Sequence, residues 1–310
     1  MKKILVTGGA GFIGSHLISY LLKQNNHVTC IDSLYSGSKS NILNYKKNKN
    51  FVFIKKDVTK KINGKYDFIY NLACPASPIH YQKNPIYTFK SNIYGAINVL
   101  ENAYKNNCTV LHTSTSEVYG DPLQHPQKET YYGNVSCTGP RSCYDEGKRA
   151  AESIFFDYKR LYNTKIKIIR IFNTYGPNMQ IHDGRVISNF IFQCLKNKNI
   201  TIYGDGMQTR SFCYVDDLIK GIIKYSYISD FTGPINLGNP KELKIIDIAK
   251  KIKKITLSKS QIVYKKMPIH DPKKRKPNIN LAKKILKWEP KISLEVGLIK
   301  TIKYFSQIID

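Results

Sequence analysis

Apolar residues fall into short blocks with a regular rhythm through the first half of the chain. Blocks rich in β-branched and aromatic residues, at 4–7, 27–31, 51–55, 68–71, 110–114 and 166–172, are the predicted strands. Between several of them the apolar positions recur at helical spacing, over 15–23, 88–106 and 145–162. Strands alternating with helices of that length imply parallel strands joined by crossovers, hence an α/β doubly wound parallel sheet of the Rossmann type. After Asn173 the rhythm breaks. Gly176-Pro177-Asn178, Gly204-Asp205-Gly206 and Gly233-Pro234 punctuate shorter elements. The expected organisation is a dinucleotide-binding Rossmann domain over 1–175. Residues 176–310 would mainly hold the substrate, with some segments returning to the sheet.

The first predicted strand runs into Thr7-Gly8-Gly9-Ala10-Gly11-Phe12-Ile13-Gly14 and then a helix. Glycines in that setting allow a tight turn and a close approach of backbone to a pyrophosphate, which the helix N-terminus attracts. Asp32 closes the second strand, where a carboxylate accepts from ribose hydroxyls and repels a 2′-phosphate. NAD is therefore the expected cofactor. Asp57 and Val58, after the third strand, are candidates for adenine contact.

Tyr144 and Lys148 stand at i and i+4 of a predicted helix, which brings their Cβ atoms within about 5–6 Å of one another. A phenol near pKa 10 is a weak base at neutral pH, and a neighbouring ammonium together with the nicotinamide charge favours its ionised form. Upstream, Thr113-Ser114-Thr115-Ser116-Glu117 lines the end of a strand with hydroxyls and one carboxylate. Strand C-termini are where open α/β sheets place their ligands.

Composition modifies this picture little. The chain has 310 residues with a formal net charge of +27. Lysine supplies most of that charge and is spread along the sequence; Lys273-Lys274-Arg275-Lys276 is the nearest thing to a basic cluster. With no nucleic-acid-binding motif beside it, the charge suits attraction of a polyanionic small molecule and not recognition of DNA or RNA. Seven scattered cysteines without Cys-x-x-Cys read as reduced thiols, and the histidines show no ligand spacing, so no metal is expected. No apolar run approaches a membrane span and no basic-then-apolar leader is apparent, so a cytoplasmic protein is expected.

Longer segments carry a specific resemblance. Ala73-Cys74-Pro75-Ala76-Ser77-Pro78, Ser114-Thr115-Ser116-Glu117-Val118-Tyr119-Gly120-Asp121-Pro122, Arg141-Ser142-Cys143-Tyr144-Asp145-Glu146-Gly147-Lys148-Arg149, Asp183-Gly184-Arg185-Val186-Ile187-Ser188-Asn189-Phe190 and Arg275-Lys276-Pro277 are among them. In these the chain resembles the extended short-chain dehydrogenases/reductases that act on nucleotide sugars, and within them the UDP-glucuronate decarboxylase branch. Sugar-nucleotide 4,6-dehydratases carry an Asp-Glu pair where Ser116-Glu117 stands here, and a 4-epimerase is not expected to have an acid at 117.

The resemblance implies NAD-dependent conversion of UDP-glucuronate to UDP-xylose, as a carboxy-lyase and without net redox change. Tyr144, Lys148, Thr115, Ser116, Glu117 and Arg275 would be catalytic. Gly8, Gly11, Phe12, Ile13, Gly14, Asp32, Asp57, Val58, Leu72, Thr113 and Thr174, with Tyr144 and Lys148, would hold the cofactor. Lys90, Asn173, Arg185, Ile187, Ser188, Asn189, Phe190, Tyr203, Arg210 and Arg275 would hold the substrate, and Asn98 is similar to residues near those sites. A homodimer is implied as well. A UDP-sugar 4-epimerase or dehydratase, or a non-catalytic dinucleotide sensor on the same fold, are the alternatives.

Overall fold

The computed structural model describes residues 1–266 and 274–309; Lys273, the first residue of the basic cluster, lies outside them. The apolar run after the N-terminus forms β1 (Lys3–Thr7), followed by α1 (Phe12–Lys23), β2 (His27–Asp32), β3 (Phe51–Lys55) and β4 (Phe68–Asn71). Then come α2 (Pro78–Lys83), α3 (Pro85–Asn106), β5 (Thr109–Thr115), α4 (Ser142–Tyr162) and β6 (Ile166–Ile171). The helices start earlier than their apolar periodicity predicts, α1 and α4 without a side-chain cap and α3 with one. In α3 the side chain of Asn84 accepts the N–H of Tyr87 (3.0 Å) and Pro85 opens the helix.

In the remaining elements the strands are short: β7 (Thr174–Tyr175), α5 (Val186–Leu195), β8 (Ile200–Tyr203), β9 (Thr209–Ser211), β10 (Cys213–Tyr214) and α6 (Val215–Ser226). They end with β11 (Ile235–Leu237), β12 (Glu242–Lys244), α7 (Ile245–Thr256), β13 (Ile262–Lys265), α8 (Asn280–Leu286) and α9 (Leu294–Ile309).

The main sheet has seven strands in the order β11-β6-β5-β4-β1-β2-β3, every neighbouring pair parallel. The late strand β11 adds to its edge beside β6. Side-chain alternation along β1 sorts the core into two faces. Ile4 and Val6 join the cluster that contains Leu17 and Ile18 of α1, whereas Leu5 joins the one built on α3 and α4 with Val99, Ala151 and Phe155. Chain order reverses at β1, with β2 on one side and β4 on the other, so a crevice opens at the C-terminal ends of these strands. Helix α4 turns Tyr144, Gly147, Lys148, Ala151 and Phe155 inward, which places the predicted phenol and amine on its buried face.

Among the described residues no helix is long and apolar enough to cross a membrane. All seven cysteines are free, and no group of three or more potential metal ligands occurs among the described residues.

Candidate active site

A cavity of about 580 Å³ occupies the crevice and runs from the glycine loop across to the C-terminal elements. Its floor at one end is the turn between β1 and α1. Gly8 has φ +71°, and a Cβ there would lie 2.8 Å from the backbone of Ala73. A Cβ on Gly14 would run into the carbonyl oxygen of Gly8. The backbone is thus left bare where a phosphate would approach, and the first-turn N–H groups of α1 lack a side-chain cap and have no acidic neighbour. Asp32 accepts the N–H of Ala10 (3.0 Å) and that of Leu34 (2.8 Å). Burial pushes its carboxyl above the ordinary range, while those two N–H groups work the other way. This cradle and its carboxylate fit a dinucleotide with a free ribose diol. Phe12, Ile13, Val58 and Leu72 line the same end.

The groups expected to be catalytic converge at the end of β5. Thr115 caps the short turn that follows, its Oγ1 accepting the N–H of Glu117 (3.2 Å). The Thr115 hydroxyl lies beside the Tyr144 phenol and favours its ionised form, and the ring of Tyr144 stacks on that of Tyr81 at 5.1 Å and 8°. Lys148 donates through Nζ to the carbonyl of Thr113 (2.8 Å), which fixes the amine beneath the strand end. Burial pushes the Tyr144 phenol up, with Cys74, Glu117 and Asp145 adding to the shift and the Thr115 hydroxyl opposing it. Burial also lowers the Lys148 ammonium, against the pull of Cys74 and Glu152. In the protein alone, then, the phenol is held protonated, and the sequence expectation of a lowered pKa depends on the cofactor's charge. Beneath this layer Glu152 accepts Ser114 Oγ (2.5 Å) and both Nε (3.0 Å) and Nη2 (2.7 Å) of Arg170. That forked pair ties β6 to α4, and the Ser114 hydroxyl ties the end of β5 to the same carboxylate.

Glu117 is the centre of a charge cluster. One carboxylate oxygen accepts from Arg275 Nη1 and the other from Arg141 Nη2. Burial alone would raise this carboxyl, but Arg275, Arg141 and Arg210 in that order hold it below the usual range. Arg275 arrives from the far end of the sequence. Its own carbonyl accepts Ser211 Oγ (3.2 Å), and the next residue is fixed by Gln127, which donates its N–H to the Lys276 carbonyl (2.9 Å). Ser116 lies buried beside the cluster.

Asn173, Thr174, Arg185, Ile187, Asn189, Phe190, Tyr203 and Arg210 line the other end of the cavity. Three predicted site residues do not line it. Lys90 is exposed on α3. Ser188 is turned away, donating to Asp183 (2.5 Å) and to the carbonyl of Arg185 (2.9 Å). Asp57 accepts the phenol of Tyr87 (2.8 Å), and it is Tyr87 that reaches the cavity. Asn98 holds the carbonyl of Val58 (2.9 Å), and so acts on the lining from behind. Conversely, Arg141, Tyr81, Tyr35 and Lys56 line the cavity without having been assigned to the site from sequence. For Arg141 a signal was present, since it stands one helical turn before Tyr144.

Residues 4–230 match the family model described as "NAD dependent epimerase/dehydratase family", and the chain belongs to that family. Within it the chain is 48% identical over 305 residues to UDP-glucuronic acid decarboxylase 4 of Arabidopsis thaliana, covering 98% of this chain and 69% of that one. It is 46% identical over 309 residues to UDP-glucuronic acid decarboxylase 1 of Danio rerio, covering 100% and 74%. Among solved structures it is similar to the UDP-glucuronic acid 4-epimerase of Bacillus cereus in complex with UDP-glucuronic acid and NAD, with TM-score 0.88, 30% identity and 99% of each chain covered. The UDP-glucose 4-epimerase of Thermotoga maritima, with UDP-glucose, superimposes with TM-score 0.91 at 29% identity over 99% and 100%.

Proposed function

We infer that this enzyme decarboxylates UDP-glucuronate to UDP-xylose through a 4-keto intermediate. The observation that carries this reading is the Glu117–Arg275 pair beside Thr115 and Tyr144 in one cavity, in a chain near half identical to UDP-glucuronic acid decarboxylases. NAD, when bound, supplies a hydride acceptor at C4 and returns the same hydride at the end, so no net redox change occurs.

The residues divide the remaining work. Thr115 orients the sugar 4-hydroxyl and Tyr144 removes its proton as the C4–H bond breaks, with Lys148 favouring the phenolate. The 4-ketone then lies β to the C6 carboxylate. The C5–C6 bond breaks, CO₂ departs, and its bonding electrons pass to an enolate that C5 protonation discharges. Glu117 and Arg275 assist CO₂ loss and the delivery to C5 of a proton taken up from solvent, and Ser116 stands where no acid is needed because no hydroxyl is expelled. Tyr144 finally returns its proton to the 4-oxygen. Arg185 and Arg210 suit the diphosphate of UDP, with Asn173, Ile187, Asn189, Phe190 and Tyr203 around the nucleoside. Residues 1–175 serve mainly the cofactor and 176–310 mainly the sugar nucleotide.

A homodimer is part of the proposal, supported by the large apolar side chains that α3 and α4 leave exposed, among them Phe89, Tyr94, Tyr104 and Leu161. So is a cytoplasmic location, which seven free thiols suit.

The test is incubation with NAD and UDP-glucuronate labelled at the carboxyl carbon. Labelled CO₂ and a pentose nucleotide, without net NADH, are the expected products. UDP-galacturonate with the label retained identifies a 4-epimerase and overturns the decarboxylase reading.

A further inference from the structure

Glu117 is gripped from two sides, and only one of its partners, Arg275, belongs to the catalytic set named so far. The other, Arg141, is the residue at the N-terminus of α4, one turn before Tyr144. Its backbone carbonyl accepts the N–H groups of Tyr144 (2.9 Å) and Asp145 (3.0 Å), so it is built into the helix that carries the catalytic phenol. Its guanidinium spans from Glu117 Oε2 to Asp145, whose Oδ2 lies 3.5 Å from Nε. The side chains of Arg141, Glu117 and Asp145 keep only 18%, 12% and 10% of their exposure, so these contacts are weakly screened. Asp145 Oδ1 is buried with no hydrogen-bond partner, so its attachment to the site runs through Oδ2 toward Arg141.

We propose that Arg141 is a positioning residue for decarboxylation: it locks the Glu117 carboxylate against Arg275 and ties that lock to the helix bearing Tyr144. This rests on the decarboxylase reading of the site. Two physical consequences follow. Glu117 has its rotamer fixed at both oxygens and stays ionised although buried. Hydride removal at C4, which uses Thr115, Tyr144 and Lys148, does not draw on Arg141. Arg141 therefore acts on the second half of the cycle and spares the first. The charged and titratable groups facing Glu117 are Arg275 and Arg210 from the C-terminal region, Arg141, Asp145 and Tyr144 from α4, and Tyr81 from α2. Deleting Arg141 removes one of three cations that keep Glu117 ionised, which moves its titration upward.

The experiment is a single turnover of NAD-loaded wild type, Arg141→Met and Arg141→Lys with carboxyl-labelled UDP-glucuronate, following NADH absorbance and labelled CO₂ separately across pH. In Arg141→Met the NADH signal should form within about threefold of the wild-type rate. CO₂ release should fall about a hundredfold, the scale expected when a largely buried carboxylate loses one of two partners. Bound NADH and the 4-keto sugar then accumulate, and the acid limb of CO₂ release shifts to higher pH. Arg141→Lys should restore that limb and recover part of the rate, because it returns the charge without the fork. Equal slowing of both half-reactions, or CO₂ release unchanged with an unmoved acid limb, overturns the assignment. If Arg141→Met does not fold, the lysine variant decides: slowed CO₂ release with intact NADH formation supports the role, and wild-type rates for both overturn it. Wild type that forms NADH yet releases no CO₂ overturns the decarboxylase reading itself, whatever the variants do.

Discussion

Replacing Tyr144 by Phe removes a single oxygen from the centre of the site. The ring is 7% exposed and stacked on Tyr81, and phenylalanine keeps that packing. What is lost is the phenol's polar contact with Thr115, whose Oγ1 retains the N–H of Glu117. One such contact contributes about 0.5–1.5 kcal/mol. Spread over the unfolding entropy of a chain this long, about 2.1 cal/mol/K per residue, that moves Tm by only about 1–2 °C. Turnover should respond on another scale, since a positioned general base contributes about 10²–10⁴-fold. Stopped-flow NADH absorbance after mixing NAD-loaded enzyme with UDP-glucuronate reads the step directly. Because burial holds the wild-type phenol above its ordinary range, its oxidation rate should climb as pH rises, and the Phe variant should lose that climb. A variant that still reduces NAD within tenfold of wild type, with the same pH dependence, would refute the assignment of Tyr144 as base.

Asp32→Ala combined with Ser33→Arg should raise the use of NADP relative to NAD and lower Tm by several degrees, because the carboxylate also accepts from Ala10 and Leu34; unchanged preference in cofactor titrations would show that the ribose contact lies elsewhere. Gly14→Ala should abolish NAD binding in calorimetry, since its methyl group meets the Gly8 carbonyl, and wild-type affinity would contradict the close-approach reading of the loop. Glu152→Gln leaves Arg170 buried without a charged partner, so it should cost about 3–5 kcal/mol, read by denaturant unfolding. A loss under about 1 kcal/mol would show that the pair does not anchor β6 to α4.

The parts of this molecule that are readable in the chain are those fixed by local periodicity. Phe51–Lys55 and Phe68–Asn71 are strands with the predicted bounds: the apolar block 68–71 buries both faces between two strands, whereas 51–55 closes the sheet edge with Val52 and Ile54 exposed. Tyr144 and Lys148 share a face because helical geometry leaves no choice. Helix starts were less legible: α3 begins at Pro85, where the cap is polar and the apolar pattern has not yet begun. The grip on Glu117 was only half legible. Arg141 and Arg275 lie far apart in sequence and reach one carboxylate through the order of strands, which no spacing rule reports. Lys90 shows the opposite limit. It sits on a helix that serves the site, but its own side chain is exposed on that helix and outside the cavity lining.

The manner in which Arg275 is fixed bears on how the enzyme comes to life during synthesis. The glycine loop, Tyr144, Lys148 and Glu117 all belong to the sheet and helices that emerge from the ribosome first, and domains tend to fold in that order. Arg275 is translated after every other member of the Glu117 cluster, and it is seated by Ser211 and by the Gln127 backbone and side chain gripping Lys276. A nascent chain can thus shape a dinucleotide crevice well before it can complete the charge cluster beside it. The charge cluster around Glu117 is completed only once residue 275 has been made, after the crevice that it borders.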